Sequence, residues 1–175
     1  MVSHDQVTLE LRDGLLNELH ALAHAHPTDE EVQEWFAKGL FNTHLCSQEE
    51  GVLARRDEML IELRGLTQMH PVNTAVRARF AQALFNTIHH AKDENDLKRR
   101  DALLNEVRSL ALKFPDEIEV IECCVGGVQL RLKDSEIDGD ALLTKSLTEE
   151  LHQLEMKLSA LMGSKDGGEA GPNQV

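Results

Sequence analysis

Arg56-Asp57-Glu58-Met59-Leu60-Ile61-Glu62-Leu63-Arg64-Gly65-Leu66-Thr67-Gln68-Met69-His70-Pro71 decides the fold, because the stretch occurs three times and fades into a fourth copy. The copies close at Pro27, Pro71 and Pro115, and 71 − 27 and 115 − 71 both equal 44. A fixed period of this length is the sequence signature of a repeat architecture. Arg12-Asp13, Glu18, Leu19 and Leu22 return as Arg56-Asp57, Glu62, Leu63 and Leu66, and again as Arg100-Asp101, Glu106, Val107 and Leu110.

Outward from that stretch, the residues after each Pro form a second repeated segment. Val32, Phe36, Ala37, Leu40, Phe41, Asn42 and Thr43 return as Val76, Phe80, Ala81, Leu84, Phe85, Asn86 and Thr87. Apolar residues spaced three and four apart, as in Leu11, Leu15, Leu19 and Leu22, form one face of a helix. Pro27 ends that helix, and Thr28-Asp29-Glu30-Glu31 starts the next with a capping side chain and first-turn acids. The sequence therefore predicts a solitary helix over 7–26 and hairpins over 28–71, 72–115 and 116–162. Residues 1–6 and 163–175 lack apolar periodicity and are expected to be a flexible N-terminus and a disordered tail.

The third copy diverges. It reads Cys124-Val125-Gly126-Gly127-Val128-Gln129-Leu130-Arg131 where the others read Phe-Ala-x-small-Leu-Phe-Asn-Thr. Gly127 stands where Gly39 and Ala83 stand, so a small residue there points to close helix packing. Divergence at the end of an array fits a capping repeat with a polar outer face.

Composition agrees with an all-α chain: 3% aromatic residues, no Tyr, and abundant Leu, Ala, Glu and Arg. A net charge of −13 argues against nucleic-acid binding. The charge is uneven, with 10 acids and 2 bases in residues 1–50 but 6 acids and 9 bases in residues 51–100. Cys46, Cys123 and Cys124 show neither CxxC spacing nor an even framework, which fits reduced thiols. No apolar run reaches the ~18 residues of a membrane span, and Met1 to Glu10 lacks the basic and apolar regions expected of a signal peptide. The expected protein is acidic, soluble and cytoplasmic.

The array resembles the tetratricopeptide repeat. That family places small or apolar residues twelve, eight and five positions before a closing Pro. Met59, Leu63, Leu66 and Pro71 keep those spacings, as do Leu15, Leu19, Leu22 and Pro27, and Leu103, Val107, Leu110 and Pro115. The family's repeat is 34 residues long, so the ten extra residues here must lengthen helices and connections. Its first-helix signature is matched by Trp35 and Gly39 in one copy, with Arg79 and Ala83 in the next. The expectation is a tetratricopeptide-like α-solenoid of stacked antiparallel hairpins, about seven helices in all.

The resemblance implies a concave face, lined by the first helix of each hairpin, that binds a partner peptide or protein. On those helices Trp35, Asn42, Arg77, Arg79, Asn86 and His90 are the candidate partner-binding residues. Asn42 and Asn86 either grip a peptide backbone or satisfy polar groups between packed helices. Arg77, Arg79 and Lys92 make the middle hairpin the place where a carboxylate would be held. The repeated Arg-Asp pair at Arg12, Arg56 and Arg100 reads as a structural ion pair. The nine histidines show no zinc-ligand spacing, and no catalytic motif stands out. A non-enzymatic scaffold without metal or cofactor is expected; the alternatives are a homo-oligomeric assembly module, such as a homodimer, that uses the ends of the array, and an enzyme or metal-binding protein built on the histidines.

Overall fold

In a computed structural model of the chain, which describes residues 4–91, 94 and 96–166, the described residues form seven α-helices and no strands. These are α1 (His4–Ala25), α2 (Glu30–Glu49), α3 (Leu53–Met69), α4 (Thr74–Ala91), α5 (Leu97–Lys113), α6 (Ile118–Asp138) and α7 (Ala141–Asp166). Helices break where the sequence carries its Pro residues, because Pro lacks an N–H and disfavours helix at the preceding residue. Two ends fall outside the expected bounds. Helix α1 begins at His4 rather than residue 7, and α7 runs past 162 to Asp166. Once nucleated, a helix gains one hydrogen bond per added residue and needs no core to extend by a turn. The remaining calls on the two termini concern residues 1–3 and 167–175, which lie outside the described residues.

Short polar side chains cap the starts of α2, α4, α5 and α7. Asp29 caps α2 by accepting from the N–H groups of Glu31 (3.1 Å) and Val32 (3.2 Å). Forty-four positions later Asn73 accepts from the N–H of Val76 at 3.0 Å and donates to the Glu30 carbonyl at 3.3 Å. Asp96 and Asp140 do the same for α5 and α7. Between α2 and α3 the chain turns at Gly51, and between α6 and α7 at Gly139, both at φ 72°, the left-handed region that a side chain disfavours.

The chain divides into two compact units, one ending at Ala83 and the other beginning at Leu84, within α4. In the first unit α2 packs against both α1 and α3. Its core contains Leu16, Phe36, Leu40, Leu60, Leu63, Leu66 and Phe80. In the second unit α6 packs against both α5 and α7 around Leu84, Ile88, Leu104, Val107, Ile121 and Val128. Helix termini leave their last carbonyls without intrahelical partners, and the sixth position after Pro27 and after Pro71 supplies a donor to the carbonyls at those ends. Gln33 donates to the carbonyls of Ala23 and His26 at 3.0 Å each, and Arg77, 44 residues on, donates to the Pro71 carbonyl.

The repeated arginines are fastened to helix neighbours. Arg12 donates to Glu50 at 2.8 Å and 3.2 Å. Arg56, with no exposed surface, donates to Gln48 at 2.6 Å and to Asp57 at 2.9 Å. Arg100 pairs with Asp134 inside the second unit, and Arg131 of α6 holds Asp101 at 3.0 Å.

Candidate functional site

Helix α1 carries apolar residues on more of its circumference than α2 can cover. Leu16 and Ala23 turn inward, while Leu15 is 54% exposed, Leu22 is 45% exposed and Leu11 is more open still. The spacing of Leu11, Leu15 and Leu22 puts them on one stripe of the helix. These leucines belong to the apolar face legible in the sequence, yet burial falls about one residue further round the helix. The adjacent pair Leu15-Leu16 was the signal that two faces, not one, are apolar.

The stripe borders a groove between α1 and α2 of about 320 Å³, lined by Leu11, Arg12, Leu15, Leu16, Leu19, Gly39, Asn42 and Thr43. Gly39 lets α1 approach: an added methyl would lie 2.9 Å from Leu19 Cδ1 and 3.3 Å from Leu16 Cδ1. Trp35, Gly39 and Asn42 share a stripe of α2 by their spacing. Gln33 bonds Ala23 and His26, and the tilted rings of Phe36 and His20 lie 5.3 Å apart, which fixes the register of α1 and α2 around Trp35. Its ring is 52% exposed under the Lys38 ammonium, 4.6 Å from the ring centre.

Of the six sequence-derived candidates, Asn42 lines this groove, and Trp35 stands one helical turn before Gly39 on the same stripe. Asn42 is exposed there. Arg77 is only 4% exposed and serves the Pro71 carbonyl, so its place is in the scaffold and not at an anion site. Arg79 is half-buried; it donates to Gln82 at 2.8 Å and lies 5.9 Å over the ring of Phe41. Asn86 and His90 belong to the second unit, where both are half-buried and His90 packs edge-on against His89 at 4.9 Å. Lys92 lies outside the described residues.

Each unit also holds a three-helix cleft. In the first, of about 110 Å³, His20, Ala23, His24, Pro27, Gln33, Phe36, Leu66, Met69 and His70 meet. His20 and His24 pack edge-on at 4.8 Å. No group of three His, Cys, Asp or Glu among the described residues converges on a common metal position. In the second, of about 300 Å³, the lining is Arg108, Ala111, Leu112, Cys124, Glu150, Gln153, Leu154 and Lys157. Arg108 and Glu150 form a two-pronged pair at 2.7 Å and 2.6 Å across it. Burial pushes the Cys124 thiol up to about 11 and its neighbour Cys123 up to about 12, so both stay protonated and poorly nucleophilic at neutral pH.

The two clefts correspond position by position. His20, Ala23, His24, Phe36, Leu66 and Met69 stand 88 residues before Arg108, Ala111, Leu112, Cys124, Leu154 and Lys157, and 88 is twice the 44-residue sequence period. The same offset relates Gly39, Leu16 and Leu19 to Gly127, Leu104 and Val107, which also meet in space. Among the described residues no helix is long and apolar enough to cross a membrane. The chain is thus an all-helical protein with an open groove in its first unit. No protein-family model matches it, and neither a curated protein nor a solved structure does.

Proposed function

We propose that the chain is a non-enzymatic interaction scaffold, a tetratricopeptide-like α-solenoid of 44-residue helical repeats that binds a partner protein on exposed helix faces. The observation that carries this reading is the recurrence at an offset of 88: the same positions pack together twice, while the residues that line the clefts change chemistry. Conserved packing with altered linings is the division of labour in repeat scaffolds, where stacking supplies stability and surface positions supply recognition. The groove beside Trp35 and Asn42 is the favoured binding place. An exposed indole with neighbouring leucines and one amide combines apolar anchoring with an orienting hydrogen bond.

The test is affinity capture from native extract with quantitative mass spectrometry, comparing wild type with the Trp35→Ala/Asn42→Asp double variant. At least one partner is expected to drop fivefold or more with the double variant, while circular dichroism remains that of wild type. A partner set that is identical for the two proteins would sink the groove as the binding place.

A further inference from the structure

The second unit displays what covers the counterpart of the open groove. At Gly127 of α6 an added methyl would lie 3.0 Å from Leu104 Cδ1 and 3.9 Å from Val107 Cγ1, both on α5. It would also lie 3.6 Å from Ile88 Cδ1 on α4. One residue earlier, at Gly126, it would lie 2.6 Å from the Phe85 ring of that same helix. The C-terminal half of α4 is therefore seated against α5 and α6, with Leu84, Ile88 and Ala91 fully buried. On α5 Leu103, 88 residues after Leu15, is buried. At Gly39 only the two α1 leucines come within 4 Å, and Leu15 is open.

We infer that the α1–α2 groove is a seat for a basic amphipathic helix of a partner protein, docked as the C-terminal half of α4 docks on α5 and α6. This rests on the interaction-scaffold reading above and names its ligand class. The exposed stripe from Leu11 to Leu22 is about 16 Å long at 1.5 Å per residue, the span of three helical turns. Helices dock into such grooves through apolar residues at i, i+3 or i+4, and i+7. The occupant's charge follows from the rim. Glu18 is exposed on the leucine stripe itself, and Arg12, the charged residue that lines the groove, is held by Glu50, within a stretch, residues 1–50, that carries 10 acids against 2 bases. A second copy of this acidic face would meet like charge, whereas lysines and arginines flanking an apolar stripe would meet complementary charge. Helix α4 has no acid and carries apolar Phe85 and Ile88 in its seated half, with Arg77 and Arg79 in the half that precedes it.

The probe is a fluorescein-labelled synthetic peptide with the Thr74–Ala91 sequence, titrated with the full chain and followed by fluorescence anisotropy. Saturable binding is expected, weakened at least tenfold by Leu15→Asp in the protein and at least tenfold by Ile88→Asp in the peptide. Glu18→Lys should weaken it about threefold and flatten its salt dependence. Leu15 and Glu18 are exposed, so both variants should retain the wild-type thermal midpoint. Absence of saturable binding, or binding indifferent to Leu15→Asp, would overturn the inference. So would a wild-type dimer in sedimentation that Leu15→Asp dissociates, since a second copy would then be the occupant. If the peptide is ignored while Trp35→Ala/Asn42→Asp still loses a captured partner, the scaffold reading stands and the helical occupant is excluded.

Discussion

Gly39 and Gly127 stand 88 residues apart and each faces a pair of α-helical side chains at matching positions, Leu16 with Leu19 and Leu104 with Val107. They differ in what lies beyond. Ile88 of a third helix closes over Gly127, and nothing within 4 Å does so at Gly39. One sequence pattern thus makes core in the second unit and surface in the first. The comparison teaches that an apolar residue contributes to stability according to what covers it, not according to its place in a periodic stripe.

Ion pairs should separate the two regions most. Asp134→Ala leaves the buried Arg100 with the half-exposed Asp101 carboxylate at 3.9 Å and should cost about 3 kcal/mol, because the charge in the interior loses its buried counter-ion. Glu50→Ala, at the half-exposed pair with Arg12, should cost less than about 1 kcal/mol. Urea denaturation of both variants checks this; equal losses would mean that the Arg100 pair is hydrated. Close behind come the leucines. Leu103→Ala should cost about 2–5 kcal/mol for a buried methyl cluster, and Leu15→Ala no more than about 0.5 kcal/mol. A large loss at Leu15 would show that its face is already covered in the free protein.

Glycine substitutions sharpen the contrast at smaller scale. Gly39→Ala would meet the end carbons of Leu19 and of the buried Leu16 beside an open groove, and the helix-propensity gain of up to about 1 kcal/mol should offset their small shift and leave it near neutral. Gly126→Ala drives a methyl into the Phe85 ring and should destabilise by about 1–3 kcal/mol. Thermal midpoints of the two variants should therefore differ by several degrees.

The smallest effect at neutral pH belongs to the thiols. Below pH 9, the ordinary thiol value, folded and unfolded chains both hold Cys123 and Cys124 neutral, so no pH dependence arises from them. Above it the unfolded chain ionises first, and stability should fall until the folded values of about 11 and 12 are reached. Thiol titration at pH 8 should label Cys46, the more exposed of the three, well before the other two. Simultaneous labelling of all three would contradict the buried setting of α6.

Much of the local structure was legible in the residues. Pro27, Pro71 and Pro115 mark helix ends, Asp29 is read correctly as part of a start signal, and the small residue at Gly127 does allow close approach. Arg77 was not legible as scaffold, because an arginine on a basic helix reads the same whether it faces solvent or a loop carbonyl. Gln33, doing the equivalent work 44 residues earlier, was the available clue. The openness of Leu15 was hidden for a different reason: its counterparts Met59 and Leu103 are buried, and periodicity assigns all three alike.

By itself, then, the sequence determined the all-helical content, the breaks between the helices and the 44-residue spacing of their apolar faces. These depend on backbone sterics and side-chain periodicity, which act within a few residues of one another. Only the tertiary structure decided which copies of a face are covered, where Asn42 is exposed beside Trp35, and that Arg77 is spent on a carbonyl. Burial is a property of the neighbours that arrive from elsewhere in the chain, and Leu15 and Leu103 differ in nothing but those neighbours.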